Sequence, residues 1–216
     1  MKLHEYKGKT ITVLYDAQRC IHARECVHGA PEVFNPDAKP WVGPDNAEAK
    51  AIAVVIKRCP SGALHYQAVD SSLAERAEPS NTLTITPHGP SYLRGSFVMV
   101  AEDEKELLSD TRAALCRCGA SKNKPFCDNS HFAVAFDDPG SAAPGAEARK
   151  EMATSGKLRL VPTTNGPLHL QGQITIRNAA DQVIFEGTET WLCRCGASGS
   201  KPFCDGSHER IGFRTE

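Results

Sequence analysis

The chain has 216 residues, of which 40% are hydrophobic and 24% charged, a composition typical of a soluble globular protein of one or two domains. The formal net charge of −1 gives no electrostatic reason to expect a nucleic acid or an anionic membrane as a partner. No run approaches the roughly 18 apolar residues of a membrane span, and the first residues lack a secretory signal, so we expect a cytoplasmic protein.

The first 69 residues predict a small domain that contains a strand and a helix. Residues 9–16 (KTITVLYD) have the composition of a strand, and a loop with two cysteines follows them. From Asp45 onward an alanine-rich run with basic residues at its end predicts a helix, which Pro60 stops. The polar stretch 70–81 separates this domain from the rest of the chain.

The rest of the chain is a tandem duplication. Residues 115–136 match residues 192–213 at a constant offset of 77, and the strand-like run 83–87 matches 158–162 at an offset of 75. A linker rich in Pro, Gly, Ala and Ser lies between the copies at 137–156. Each copy has short β-like runs before its cysteines. The predicted fold class is therefore α+β, with domains at 1–69, 82–137 and 157–216.

Nine cysteines fall into three groups of three. An odd number excludes complete disulfide pairing, and clustered cysteines in a reducing cytosol indicate metal or redox chemistry. The groups are Cys20, Cys26 and Cys59; Cys116, Cys118 and Cys127; and Cys193, Cys195 and Cys204.

Each repeat contains the spacing C-x-C-x8-C-x3-H. The fourth members are His131 in the first repeat and His208 in the second. Four such ligands within sixteen residues can close around a metal centre. In a 2Fe–2S cluster the C-x-C pair would hold one iron, and the third cysteine with the histidine would hold the other, nearer to solvent. A structural zinc ion bound by three cysteines and one histidine is the alternative that these ligand types leave open.

The residues around these ligands resemble the CDGSH iron–sulfur family. Positions 193–208 read C-R-C-G-A-S-x3-P-F-C-D-G-S-H and match the family pattern throughout, whereas the first repeat has Asn129 in place of one glycine. Asn tolerates positive φ, so we expect the loop to keep its shape. The resemblance implies a 2Fe–2S cluster in each β-rich module. It also implies that the two modules exchange strands as an intramolecular pseudo-dimer, which makes the chain a monomer.

Residues near the repeated ligands also have predicted roles. Ser121 and Ser198 could donate hydrogen bonds to sulfur or close a serine turn within the loop. Asp128 or Asp205 could cap a short helical turn that carries the histidine. Arg117 and Arg194 lie between paired cysteines and could offset the negative charge of the thiolates, but we expect them to be solvated at the surface.

The N-terminal cysteines occur as CIHAREC and a remote CP. Here Ala23 occupies the middle cysteine position of a ferredoxin. Residues 10–68 resemble single-cluster bacterial ferredoxins and the divergent mono-cluster domain that is often joined to CDGSH modules. Three cysteines fit a 3Fe–4S cluster. A 4Fe–4S cluster is the alternative if His22 or a solvent species binds the fourth iron, and three structural cysteines without a cluster remain the third reading. We expect His4, His22, His28 and His65 to be exposed.

These sites indicate one-electron transfer with redox proteins as partners. No dinucleotide fingerprint or nucleophile–base pair is present, so we expect no catalytic residues. A carrier that donates 2Fe–2S clusters to apo iron–sulfur proteins, or a redox or iron sensor, is the alternative from a different class. A subunit that supplies electrons to a monooxygenase or reductase is a third.

Overall fold

The computed structural model describes residues 3–142 and 157–215, so most of the predicted linker lies outside the described residues. The fold is mixed α/β and consists mostly of strands. The chain divides into two compact units, Met1–Arg76 and Ala77–Glu216. In the described residues, no helix is long and apolar enough to cross a membrane.

The N-terminal unit is an antiparallel sheet of three strands with two helices. The strands are ordered β1-β2-β3, and short 3-10 turns occur at Pro44–Asn46 and Ser71–Leu73. Its elements in chain order are β1 (Leu3–Lys7), β2 (Ile11–Asp16), α1 (Glu25–Gly29), α2 (Ala49–Arg58) and β3 (Leu64–Ala68).

Alternating apolar residues on β2 and the apolar face of α2 form the core of this unit. Ile11 and Val13 are fully buried on the strand, as are Ile52 and Ile56 on the helix. The helix begins at Ala49 rather than at the predicted Asp45, because Pro44–Asn46 forms a separate turn and Glu48 has extended backbone. It ends at Arg58, so that Cys59 is its C-terminal cap immediately before the proline.

The second unit contains both repeats in one six-stranded sheet. The sequence did not predict β6, because its run ELLSDTRAAL does not alternate polar and apolar residues clearly. The first repeat forms β4 (Thr82–Ile85), β5 (Ser91–Val100), β6 (Glu106–Leu115) and α3 (Ser130–Ala133). The second forms β7 (Leu158–Pro162), β8 (Leu168–Arg177), β9 (Val183–Leu192) and α4 (Ser207–Arg210).

The first strand of each repeat joins the two repeats. β4 pairs antiparallel with β5 of its own repeat and parallel with β8 of the other. β7 does the reverse, since it pairs antiparallel with β8 and parallel with β5. Both short strands therefore lie between the hairpins β5–β6 and β8–β9. Equivalent residues of both repeats, such as Leu93 and Leu170, meet in one buried core.

Asn81 stabilises the junction between the two hairpins. Its Nδ2 donates to the carbonyl of Gln173 at 3.0 Å, and its Oδ1 accepts from the backbone N–H of Ser96 at 2.9 Å. Both partners lie where the β5–β6 and β8–β9 pairings shift register. Gly95 has a φ of +131°, and a Cβ there would collide with the Asn81 side chain.

We expect Asn81→Ala to lower the free energy of unfolding of the second unit by about 2 kcal/mol, because it leaves a part-buried donor and a part-buried acceptor without this partner. Denaturant unfolding monitored by circular dichroism measures the effect. Gln173→Ala is the matched control, since it keeps the carbonyl that Asn81 binds and should change stability by less than about 0.5 kcal/mol. Equal losses in both variants would contradict this role for Asn81.

Candidate metal centres

The four predicted ligands of each repeat form two close pairs. In the first repeat, the Sγ atoms of Cys116 and Cys118 are 3.7 Å apart, and Cys127 Sγ lies 3.5 Å from His131 Nδ1. In the second repeat, the Sγ atoms of Cys193 and Cys195 are 3.6 Å apart, and Cys204 Sγ lies 3.3 Å from His208 Nδ1. The two loops thus have the same arrangement.

The two residues of each pair are spaced as ligands of one metal. Two ligands on one tetrahedral metal with bonds of about 2.0–2.3 Å are about 3.5–3.8 Å apart, which is close to the separation within each pair. Within residues 3–142 and 157–215, no group of three or more His, Cys, Asp or Glu side chains is placed to hold one metal ion. The donor set therefore fits a cluster with one iron per pair better than a single zinc ion.

A serine closes each loop. Ser121 is fully buried; its Oγ donates to the carbonyl of Phe126 at 2.7 Å and accepts from the N–H of Asn123 at 3.0 Å. Ser198 makes the equivalent bonds in the second loop, also at 2.7 and 3.0 Å. Of the two predicted roles for these serines, the structure therefore has the serine turn, because the hydroxyl proton is directed to a carbonyl and not to sulfur.

An aspartate positions the turn that carries the histidine. Asp128 accepts from the backbone N–H groups of Lys122 at 2.8 Å and Ser130 at 3.0 Å, so it ties the start of α3 to the loop. Asp205 does the same in the second loop. Residue 129 has a φ of +71° and its counterpart Gly206 a φ of +82°, so Asn129 keeps the loop shape as predicted.

Two of the three thiols of the first loop need the positive charge of a metal to become thiolates. Burial raises the pKa of Cys127 to about 11, although the backbone N–H of Asn129 partly opposes the effect. A hydrogen bond from Cys116 lowers the pKa of Cys118 to about 6, and the same bond, together with burial, raises the pKa of Cys116. The loop thus favours about one thiolate by itself. Iron supplies the positive charge that stabilises the others.

Arg117 and Arg194 are buried, contrary to the prediction that they are solvated. Arg117 donates to the carbonyls of Gly89 and Thr86 and forms an ion pair with Asp138 at 3.1 Å. Arg194 Nε donates to the carbonyl of Gly166 at 2.8 Å, and its guanidinium also contacts the carbonyl of Thr163. Gly89 and Gly166, which supply one carbonyl partner in each repeat, belong to the repeated Gly-Pro pairs.

The two C-x-C loops contact each other through their backbones. A Cβ on Gly196 would lie 2.6 Å from the carbonyl oxygen of Cys118, and a Cβ on Gly119 would collide with the backbone of Cys195. Both glycines have positive φ, +79° and +77°. The two candidate centres therefore belong to one packed region of the second unit.

The three N-terminal cysteines surround a cavity of about 510 Å³. Cys20 precedes α1, Cys26 lies within α1, and Cys59 caps α2, and all three are half-buried. Burial raises the pKa of Cys26 to about 11, so this thiol also needs a metal in order to ionise. Ala23 also lines the cavity, which is large enough for a cluster in place of one ion.

An aromatic wall adjoins this cavity and was not predicted. Trp41 lies edge-on to Tyr15, with ring centroids 4.9 Å apart, and Tyr6 packs on its other side at 6.1 Å. Such a wall lowers the local polarity beside the cysteines. Trp41 is distant in sequence from both tyrosines, and the pairing of β1 with β2 brings Tyr6 close to Tyr15.

The histidines of the N-terminal unit differ in their exposure to solvent. His4, His22 and His28 are exposed as predicted. His65 is not, because it lies half-buried on β3 with its Nδ1 3.0 Å from Glu75. His22 Nδ1 lies 3.9 Å from Cys20 Sγ.

Comparisons with known proteins match both parts of the chain. Residues 6–69 match a family described as "Divergent 4Fe-4S mono-cluster". Residues 88–132 and 165–209 match one described as "Iron-binding zinc finger CDGSH type". Over 62 residues, the chain is 40% identical to Uncharacterized protein YjdI of Escherichia coli strain K12. The matched segment covers 29% of this chain and 82% of YjdI, and YjdI of Escherichia coli O157:H7 gives the same values.

Proposed function

The chain belongs to the divergent 4Fe–4S mono-cluster family in its N-terminal part and carries two CDGSH-type repeats, and on this premise we propose that it transfers single electrons. It is an iron–sulfur protein, as its cysteine motifs predicted. The proposed cofactors are one 2Fe–2S cluster in each repeat and one ferredoxin-type cluster in the N-terminal unit. A bound cluster would supply a reversible one-electron change.

Shielding of the ligands in the first repeat is the observation that carries this proposal. His131 is 7% exposed, and the ring of Phe132 lies over it with centroids 4.1 Å apart. The sequence predicts that the iron bound through this imidazole lies nearer to solvent, and in the first repeat the imidazole itself is buried. Three of the four ligands in the first repeat are buried and Cys118 is half-buried, on a loop fixed by Ser121 and Asp128. This burial favours retention of the cluster, which electron transfer requires and cluster donation opposes.

We propose that, in each repeat, the two residues of a close pair bind the same iron. Cys116 and Cys118 would hold one iron, and Cys127 with His131 Nδ1 would hold the other. In the second repeat the corresponding pairs are Cys193 with Cys195 and Cys204 with His208. The neutral imidazole leaves the cluster less negative than a fourth thiolate would, which raises its reduction potential.

For the N-terminal cluster we propose the 4Fe–4S form, with Cys20, Cys26 and Cys59 as ligands. The family description favours this alternative over the 3Fe–4S cluster that the cysteine count suggested. In the present geometry His22 lies so close to Cys20 Sγ that the two resemble ligands of one metal, so it is poorly placed to bind a different iron. The fourth iron would then have no protein thiolate, and its loss would yield the 3Fe–4S form.

Cluster donation is the second candidate, and the second repeat favours it. The side chain of His208 is 14% exposed, and Cys204 is half-buried where its counterpart Cys127 is buried. The partner would be an apo iron–sulfur protein instead of a redox protein. Incubation of the loaded protein with an apo-ferredoxin, and separately with a ferredoxin reductase and cytochrome c, distinguishes the two roles. Fast electron exchange with retained iron supports electron transfer, whereas appearance of holo-ferredoxin supports donation.

The proposed cluster content predicts a definite iron count. Anaerobically purified protein should contain about eight irons and as many sulfides, two for each repeat and four for the N-terminal unit. Replacing one thiolate ligand should empty only its own centre, so Cys195→Ser should lose about two irons and Cys59→Ser about four. His4→Gln on β1 is the control and should lose none. Zinc in place of iron in the wild-type repeats would contradict the assignment.

We further propose that the chain is a monomer in which the repeats act as an internal pseudo-dimer. The exchange of β4 and β7 between the hairpins supports this proposal, because each short strand already has neighbours on both sides. Sedimentation equilibrium measures the mass directly.

A further inference from the structure

A buried serine hydroxyl lies against one of the N-terminal cysteine ligands. Ser61 follows Cys59 by two residues, and its Oγ is 3.6 Å from Cys59 Sγ. Ser61 is only 3% exposed, so water does not compete for this contact. Both residues line the cavity that the three cysteines surround. The hydroxyl is therefore part of the immediate surroundings of the proposed N-terminal cluster.

The proton of this hydroxyl is free to be donated to sulfur. Ser61 Oγ accepts from the backbone N–H of Ala63 at 3.3 Å, which occupies a lone pair and not the proton. Without a metal, either the thiol or the hydroxyl can be the donor in the contact between Cys59 and Ser61. A cysteine bound to iron is a thiolate without a proton, so in the loaded protein the hydroxyl is the donor. A hydrogen bond to such a charged acceptor is about twice as strong as one between neutral groups.

Hydrogen bonds to the neighbouring segments hold Ser61 in this position. The buried Arg19 donates through Nη2 to the carbonyl of Ser61 at 2.8 Å. The carbonyl of Ala63 accepts from the backbone N–H of Asp16 at 2.8 Å. These bonds tie the end of β2 and the residues before α1 to the segment that contains Ser61. The serine therefore has little freedom to turn away from the sulfur.

The serines of the two repeats use their protons differently. Ser121 Oγ donates to the carbonyl of Phe126, and Ser198 Oγ donates to the carbonyl of Phe203, both at 2.7 Å. A hydroxyl has one proton, so neither serine has one left for a ligand sulfur. The hydrogen bond to sulfur that the sequence suggested for these two serines is thus supported by the geometry at Ser61 instead.

Resting on the proposed function, we propose that Ser61 raises the reduction potential of the N-terminal cluster by donating a hydrogen bond to the thiolate of Cys59. Reduction adds one electron, and part of the added negative charge lies on the ligand sulfurs. A hydrogen bond to the charged form of a group stabilises that form, so this bond favours the reduced cluster over the oxidised one. No covalent bond forms or breaks, the proton stays on the hydroxyl, and the electron comes from an electrode or dithionite.

Ser61→Ala removes the hydroxyl and adds no bulk. We expect the reduction constant of the N-terminal cluster to fall about tenfold, which is about 59 mV for one electron, while the potentials of the two repeats stay unchanged. The Fe–S(Cys) stretching bands should shift to higher frequency, because a thiolate without this hydrogen bond donates more charge to iron. A purely structural role of Ser61 would not produce that shift. Ser72→Ala alters an exposed serine of the same unit and is the control, which should change neither readout.

Ser61→Thr and Ser61→Val form a second pair, because their side chains have nearly the same shape and differ in the hydroxyl. We expect the reduction constant of Ser61→Val to lie about tenfold below that of Ser61→Thr, for the same reason as in the first comparison. This pair keeps the inference testable if Ser61→Ala fails to retain its irons.

The measurement is a spectroelectrochemical titration with EPR, combined with resonance Raman spectra and iron counting on the same samples. The wave that disappears in Cys59→Ser belongs to the N-terminal cluster. Lower potentials in the variants without the hydroxyl support the inference. Equal potentials in wild type and an iron-loaded Ser61→Ala, or within the Thr and Val pair, overturn it and leave the proposed function standing. A wild-type protein without an N-terminal cluster, about four irons short of eight, overturns the proposed function and this inference together.

Discussion

Gly119→Ala is expected to empty both repeated centres, although it alters only one loop. A Cβ at this position would enter the backbone of Cys195, which belongs to the other repeat. Backbone cannot move aside as a flexible side chain does, so one of the two C-x-C loops must shift. A shift of Cys195 would move its Sγ away from the Sγ of Cys193, and these two atoms are 3.6 Å apart in the structure. We expect loss of about four irons and a fall in unfolding free energy of about 3 kcal/mol or more.

Gly206→Ala is the matched control for this experiment. Gly206 has a φ of +82°, close to the +77° of Gly119, but a Cβ there would have no atom within 4 Å. The control therefore carries the left-handed strain, about 1–2 kcal/mol, without the collision. Asn129 at the equivalent position of the first repeat already tolerates a side chain. Iron content in each variant, with the irons assigned by EPR, decides between the outcomes. Equal loss in both variants, or loss confined to the first repeat after Gly119→Ala, would contradict the loop-to-loop contact.

Ala23→Cys is expected to convert an oxidant-sensitive N-terminal cluster into a resistant one. Ala23 lines the cavity that Cys20, Cys26 and Cys59 surround, and it occupies the vacant cysteine position of the ferredoxin pattern. A thiolate there would bind the fourth iron, which in the wild type has no cysteine of its own. After mild oxidation with ferricyanide, the wild-type protein should show the EPR signal of an oxidised three-iron cluster. In the variant we expect that signal to fall at least tenfold.

Ala23→Ser controls for the change of volume, since a hydroxyl of similar size is a poor iron ligand and should leave the signal intact. Iron counting before and after oxidation gives a second readout, with about one iron lost from the wild type and none from Ala23→Cys. If the wild-type protein shows no three-iron signal after oxidation, this prediction is wrong.

The ligand motifs and the duplication could be predicted from the sequence because both are local. A cluster loop encodes its own geometry within sixteen residues, so the positive φ at residue 129 and the turn that carries His131 were predictable from residue types. The same holds for the end of α2 at Cys59, since the proline after it stops the helix. The predicted helix start at Asp45 was wrong, because a separate turn at Pro44–Asn46 competes for the same residues.

Only the tertiary structure shows which residues of one repeat contact the other repeat, and what surrounds each ligand. Arg117 looks like a surface residue in sequence, and its burial depends on carbonyls about 30 positions earlier and on Asp138, which the fold brings to it. The collision site of Gly119 lies in the other repeat, 76 residues away, and no local pattern encodes such a distance. Charges act through space and through the water that packing excludes, so two nearly identical motifs acquire different surroundings once the strands have been exchanged.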